Sequence, residues 1–124
     1  MVGQASTPSV GVTRVRDVTV VNLIGDHDIV TAPDVRAQME RCAASGDGVV
    51  VSLMQTTFLD SGIIRVLFAA DKTLRDRDRR LVLHVATASI VARVLDVSGL
   101  DRQLACEPSL EKAVALASDR ASKD

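Results

Sequence analysis

Val49-Val50-Val51-Ser52-Leu53, followed by Phe58-Leu59-Asp60-Ser61-Gly62-Ile63-Ile64-Arg65, is the stretch that decides how this chain folds. The first run is β-branched and apolar, which suits a buried strand. Beyond Asp60 the apolar period changes: Ile63, Ile64, Val66, Leu67, Ala70 and Leu74 recur at helical spacing to about Asp76. The spacing sets Ile64, Leu67 and Phe68 on one face, turned toward the sheet. A strand therefore feeds a helix, with Asp60-Ser61-Gly62 at the seam. A hydroxyl there lies at or beside the helix N-cap, exposed and facing the positive end of the helix dipole. It serves either as a plain cap or as a site of modification.

Outward from this seam the chain alternates strands and helices. Val10 to Val15 and Val18 to Ile24 read as a hairpin turned at Arg16-Asp17. Gly25-Asp26-His27-Asp28 breaks the second strand. Thr31 or Asp34 starts a helix through Ala44, with Pro33 in its first turn and Val35, Met39 and Cys42 as its core stripe. Ser45-Gly46-Asp47-Gly48 ends it. After the seam helix, Arg77-Asp78-Arg79-Arg80 forms a charged turn into a strand from Leu81 to Val85. Ser89 caps a helix whose Ile90, Val91, Val94, Leu95 and Val97 face inward, ending near Gly99. Leu104-Ala105-Cys106 forms a short strand, and a last helix carries Leu110, Ala113, Val114 and Ala117. The fold class is α/β: one domain over residues 10–117, a mixed sheet of four to five strands flanked by about four helices. Residues 1–9 and 118–124 read as polar tails.

Composition narrows the function. A chain of 124 residues buries a core without staples, and a formal net charge of −1 exerts no pull toward nucleic acid or anionic membrane. Phe58 and Phe68 are the only aromatic residues, so stacking platforms for single strands are absent. The first residues have no basic or apolar leader character and no apolar run approaches membrane-spanning length, so the location is expected to be cytoplasmic. Cys42 and Cys106 are too few and too distant for a disulfide framework, and are read as buried, unlinked packing. His27 and His84 have no second ligand at metal spacing and read as a surface and a strand histidine. Neither a nucleophile elbow nor a glycine-rich phosphate loop is present. No enzyme, cofactor or metal is expected. Lys72, Arg75, Arg77, Arg79 and Arg80, interrupted by aspartates, read as a solvated helix end and turn.

Four features in order resemble the STAS domain of anti-sigma factor antagonists, over about Val12 to Ala117. They are the hairpin ending in Gly25-Asp26-His27-Asp28, the strand leading to Phe58-Leu59-Asp60-Ser61, the basic turn before Leu81-Val82-Leu83, and Val91-Ala92-Arg93-Val94-Leu95-Asp96-Val97-Ser98-Gly99-Leu100. The resemblance implies a protein that works by protein–protein contact. It implies that unmodified Ser61 lets the chain bind a histidine-kinase-like anti-sigma factor, which uses Mg-ATP to phosphorylate that serine and so releases the chain. A PP2C-like phosphatase reverses the mark. The implied partner surface is Asp26, Asp28, Asp60, Ser61, Gly62 and Arg65, although Asp26 and Asp28 equally suit the closing of a turn. A weak homodimer is the remaining partner expectation. The chain departs from the common pattern at Gly62-Ile63-Ile64-Arg65, which lacks a second hydroxyl and is nearer the stressosome scaffold form. It also has Ser52 for a strand aspartate and Asp26-His27 for Glu-Leu. The alternative is therefore a STAS scaffold or accessory subunit, as in stressosome-like or lipid-transport complexes.

Overall fold

The computed structural model describes residues 8–119. Strand β1 (Ser9–Val15) and β2 (Val18–His27) form the hairpin; α1 (Ala32–Ser45), β3 (Gly48–Ser52), β4 (Thr56–Leu59) and α2 (Ser61–Asp76) follow. Then come β5 (Leu81–His84), α3 (Ile90–Ser98), the single-turn α4 (Leu100–Gln103), β6 (Ala105–Glu107) and α5 (Leu110–Ser118). The sheet order is β1-β2-β3-β5-β6; β1 is antiparallel to β2, and the remaining neighbours are parallel. This is the expected mixed α/β sheet flanked by helices, with one strand more than the sequence suggests.

The sixth strand is β4, which pairs with the end of β2 rather than lying on the main path. Gly25-Asp26-His27 is a strand breaker by its sequence, yet β2 continues through it. Gly25 adopts φ +87°, a bulge shifts the register there, and Asp26 and His27 then pair with Phe58 and Leu59. Glycine tolerates this left-handed turn, so the strand bends and survives. Four residues of β4 carry too little periodicity to announce themselves.

The main core lies between the sheet and α1, α2 and α3, and includes Val21, Val51, Leu67, Leu74, Leu83 and Leu95. A smaller cluster on the other sheet face, Val18, Val20, Val50 and Val82, is covered by Ala113, Val114 and Ala117 of α5. Gly48 permits this second packing. A Cβ on it would stand 2.1 Å from the Ala117 carbonyl oxygen, so α5 seats directly on the β3 backbone.

Several side chains sit otherwise than their spacing suggests. Ile90 and Val97 are 77% and 82% exposed and Leu110 is exposed; only Val91 and Leu95 of α3 are fully buried. Helical periodicity gives a stripe but not its width, and α3 meets the sheet along a narrow one. β6 runs from Ala105 to Glu107, one residue later than its sequence pattern, and Cys106 is half-buried while Cys42 is buried. No disulfide links them. His27 is fully buried, not a surface residue. Its Nε2 lies 3.1 Å from both the Ser9 and Ile24 carbonyls, so that nitrogen donates and ties β1 to β2. His84 is in β5 as expected, with Nδ1 2.9 Å from Ser52 Oγ.

Arg79 is likewise buried rather than solvated, ion-paired with Asp17 at 3.4 Å. Ser118 Oγ donates to the same aspartate at 2.8 Å, joining the hairpin turn to the end of α5. Arg77 donates to the Ala43 carbonyl, and Arg75 pairs with Asp71 at 2.9 Å. Ser9 and Ser118, expected in the tails, belong to β1 and α5; residues 1–7 and 120–124 of the expected tails lie outside the described residues. Among the described residues no helix is long and apolar enough to cross a membrane.

Candidate functional site

The site forms where β4 turns into α2. Asp60 has extended backbone (φ −110°, ψ −178°), and its carboxylate caps the helix: Oδ1 accepts from Gly62 N at 2.9 Å and Ile63 N at 3.2 Å. This overturns the capping role for Ser61. The extended residue before the first helical turn can fold its side chain back onto the orphan N–H groups, and that residue is Asp60. Ser61 is instead the first helical residue, exposed, and its hydroxyl has no hydrogen-bond partner among the described residues. One residue supplies the cap and the next presents an unoccupied hydroxyl.

The same carboxylate reaches a second element. Asp60 Oδ2 accepts from Ile29 N at 3.0 Å, which pins the loop after β2 against the start of α2. Gly62 fits beneath this clamp: a Cβ there would stand 3.2 Å from Asp60 Oδ1 and 3.9 Å from Ile29 Cα. The loop is further shaped by Asp28, whose Oδ1 accepts from Val30 N at 2.9 Å in an Asx turn. Thr31, at the N-cap position of α1, makes no side-chain cap. Its hydroxyl oxygen instead accepts from Asp28 N at 3.2 Å and lies 3.0 Å from His27 Nδ1. The buried histidine thus anchors the loop from below.

Asp26 lies one strand over, where its Oδ1 accepts from the Thr57 hydroxyl. Asp28 therefore closes its own turn, whereas Asp26 bonds across to β4. Arg65, one helical turn beyond Ser61, is exposed and has no ion-pair partner among the described residues. The structure brings Asp28, Asp60, Ser61 and Gly62 into one hydrogen-bonded corner, with Asp26 beside it on β2 and Arg65 on the helix.

Sequence reasoning misses the apolar rim of this corner. Ile29 and Val30 are 75% and 78% exposed at the tip of the pinned loop. Met54 and Phe58, on the β3–β4 turn and β4, are about half exposed. Exposed aliphatic side chains held on an ordered loop signal a contact surface more than isolated ones do. The available signal is an Ile-Val pair directly after a polar turn, where solvated residues are the rule. Among the described residues no group of three or more His, Cys, Asp or Glu could hold a metal ion.

A mixed sheet with an antiparallel edge hairpin and helices packed on both faces defines an α/β domain, and an exposed serine stands at the first turn of the helix that follows β4. The family model described as "Mlab, STAS domain" matches residues 10–111, and the chain belongs to the STAS domain family. Among solved structures it is similar to an anti-sigma factor antagonist from Mycobacterium paratuberculosis, with 24% identity, a TM-score of 0.80, and coverage of 91% of this chain and 96% of that one. The phosphorylated form of the Bacillus cell fate determinant SpoIIAA matches at 20% identity and a TM-score of 0.66, covering 87% of this chain and 98% of that one. An anti-sigma-factor antagonist (STAS) domain protein from Planctomyces limnophilus matches at 18% identity and 0.65, covering 87% and 96%. At these identities the likeness establishes the fold. No curated protein matches the chain.

Proposed function

We propose that this protein is an anti-sigma factor antagonist that binds a kinase-type anti-sigma factor and is switched off by phosphorylation of Ser61. The observation that carries the reading is the division of labour at the helix start: Asp60 caps α2, so the Ser61 hydroxyl is exposed and committed to nothing else. A kinase that takes this hydroxyl disturbs no native hydrogen bond. The neighbours named as antagonists, and the SpoIIAA structure in its phosphorylated form, support the same reading.

The chemistry of the corner supports a repulsive switch. A phosphate on Ser61 adds close to two negative charges. The N–H groups of Gly62 and Ile63, which would otherwise receive it, are already bonded to the Asp60 carboxylate. The phosphate therefore sits beside a like charge, eased only by the helix dipole and by Arg65 one turn away. Repulsion acts on Asp60, and through its bond to Ile29 N on the loop that carries Ile29 and Val30. A partner seated on that rim with a neutral serine at its centre loses both its fit and its electrostatic match. PP2C-like dephosphorylation restores them.

Titration calorimetry against a candidate histidine-kinase-like anti-sigma factor tests this. Ser61→Ala binds as tightly as unmodified wild type, and Ser61→Asp at least about tenfold more weakly, about 1.4 kcal/mol. Wild type accepts phosphate from the partner with Mg-ATP and Ser61→Ala does not. Equal affinity for all three proteins, with no phosphate transferred, refutes the switch. That outcome favours the second reading, a STAS scaffold or accessory subunit of a stressosome-like or lipid-transport complex.

A further inference from the structure

β1 is an edge strand, and among the described residues nothing pairs with its outer side. It runs in unbroken register with β2 over seven residues, from Ser9 opposite Ile24 to Val15 opposite Val18, without a bulge. Natural edges are usually blunted by proline, lysine, a bulge or an inward charge. This strand has no proline, no lysine and no bulge. Its one charged side chain, Arg14, is drawn back over the sheet by Asp47, with Nε 3.0 Å from Oδ2. At the centre of the strand Val12, paired with core residue Val21, is 50% exposed.

The helix beside this edge carries a matching pattern. α1 returns from β2 and so runs in the same sense as β1. Val10 of the strand and Asp34, Ala37, Gln38 and Arg41 of the helix line one groove of about 300 Å³. The order along α1 is acid, small, polar, base. Asp34 and Arg41 are both exposed, and neither has an ion-pair partner among the described residues. Such a stripe is complementary to itself read backwards.

We infer that this edge is a self-association surface whose partner is a second copy of the chain. A two-fold axis at Val12 sets β1 antiparallel to β1 of the other copy, joining two six-stranded sheets into one. Both α1 helices then lie on the same face, antiparallel across the axis. Asp34 of each faces Arg41 of the other, with Ala37 and Gln38 between. Symmetry makes every contact occur twice. Seven residues at ~3.3 Å make a strip about 23 Å long, and a sheet plus one helix layer is about 20 Å deep. Two copies together bury roughly 900 Å², the size of a weak, reversible contact. Neither Asp60 nor Ser61 lines this groove, so the inference holds or fails independently of the phosphorylation reading.

Sedimentation velocity of the full chain, from about 1 µM to about 1 mM, is the test. Wild type shows a monomer–dimer equilibrium with a dissociation constant on the order of 100 µM. Asp34→Lys and Arg41→Glu each set like charges opposite one another twice, and each weakens the dimer at least tenfold. A one-to-one mixture of these two variants regains dimer near the wild-type level. In the mixed dimer the introduced lysine faces the introduced glutamate, while the native pair of Asp34 and Arg41 forms on the other side of the axis. Val12→Lys, on the strand and away from α1, abolishes the dimer by charging the edge. Wild type that stays monomeric at about 1 mM, a dimer that the single variants leave unchanged, or a mixture that fails to reassociate overturns the inference.

Discussion

Replacing Asp60 with alanine removes three hydrogen bonds at once: those from Gly62 N and Ile63 N to Oδ1, and that from Ile29 N to Oδ2. Loss of an aspartate N-cap costs about 1–2 kcal/mol. The Ile29 bond is exposed to solvent, so its net worth lies near the lower end of the usual range, about 0.5–1 kcal/mol. Asp60→Ala is therefore expected to cost about 1.5–3 kcal/mol, lowering Tm by roughly 5–12 °C for a chain of this size. Asp60→Asn separates the two contributions. Its amide oxygen still caps α2, but its amide nitrogen is a donor and cannot accept from Ile29 N, so about two-thirds of the loss is recovered and about 0.5–1 kcal/mol remains. Urea denaturation measures the totals, and amide hydrogen exchange locates them. Protection of the Ile29 amide falls in both variants, while Val30, bonded to Asp28, keeps its own. An Asp60→Ala protein within about 0.5 kcal/mol of wild type, or an Ile29 amide unchanged in exchange, would refute the clamp.

Three further outcomes follow from the packing. Gly48→Ala brings a Cβ against the Ala117 carbonyl, a backbone atom that cannot swing aside, and is expected to cost about 3 kcal/mol and loosen α5, seen as a lowered urea midpoint and faster exchange in residues 110–118. Leu67, fully buried on the sheet-facing side of α2, is expected to cost about 2–5 kcal/mol on truncation to alanine, measured the same way. Burial raises the Asp71 carboxyl above its ordinary value, only partly offset by Arg75, and leaves Oδ1 without a hydrogen-bond partner among the described residues. A group with a raised folded-state pKa stabilises least when ionised, so its contribution falls as pH rises from below 3.8 through the folded value. Asp71→Asn is therefore expected to gain on wild type as pH rises over that window, read as the difference between their urea midpoints; a difference independent of pH refutes it.

Local patterns carry much of the result. The strand from Val49, the helix from Ser61 and the α/β alternation follow from period and β-branching, which are properties of neighbouring residues and survive any tertiary arrangement. Asp60-Ser61 at their junction is legible for the same reason. Which of the two residues caps the helix is not, because that depends on the backbone angles at Asp60. β4 exists only because Gly25 bends β2 so that Asp26 and His27 can pair with it, a contact between segments about thirty residues apart. Burial of His27 and Arg79 rests on partners as distant as Ser9 and Asp17. The exposure of Ile29, Val30, Ile90 and Val97 depends on where α1 and α3 meet the sheet. Every element but β4 and the single-turn α4, and the position of the hydroxyl, follow from short-range sterics and amphipathic spacing, which act within a few residues. That the hydroxyl is unoccupied, that one carboxylate joins the start of α2 to the loop after β2, and which apolar residues face outward are settled only in the folded chain, since those outcomes require distant parts of it to meet.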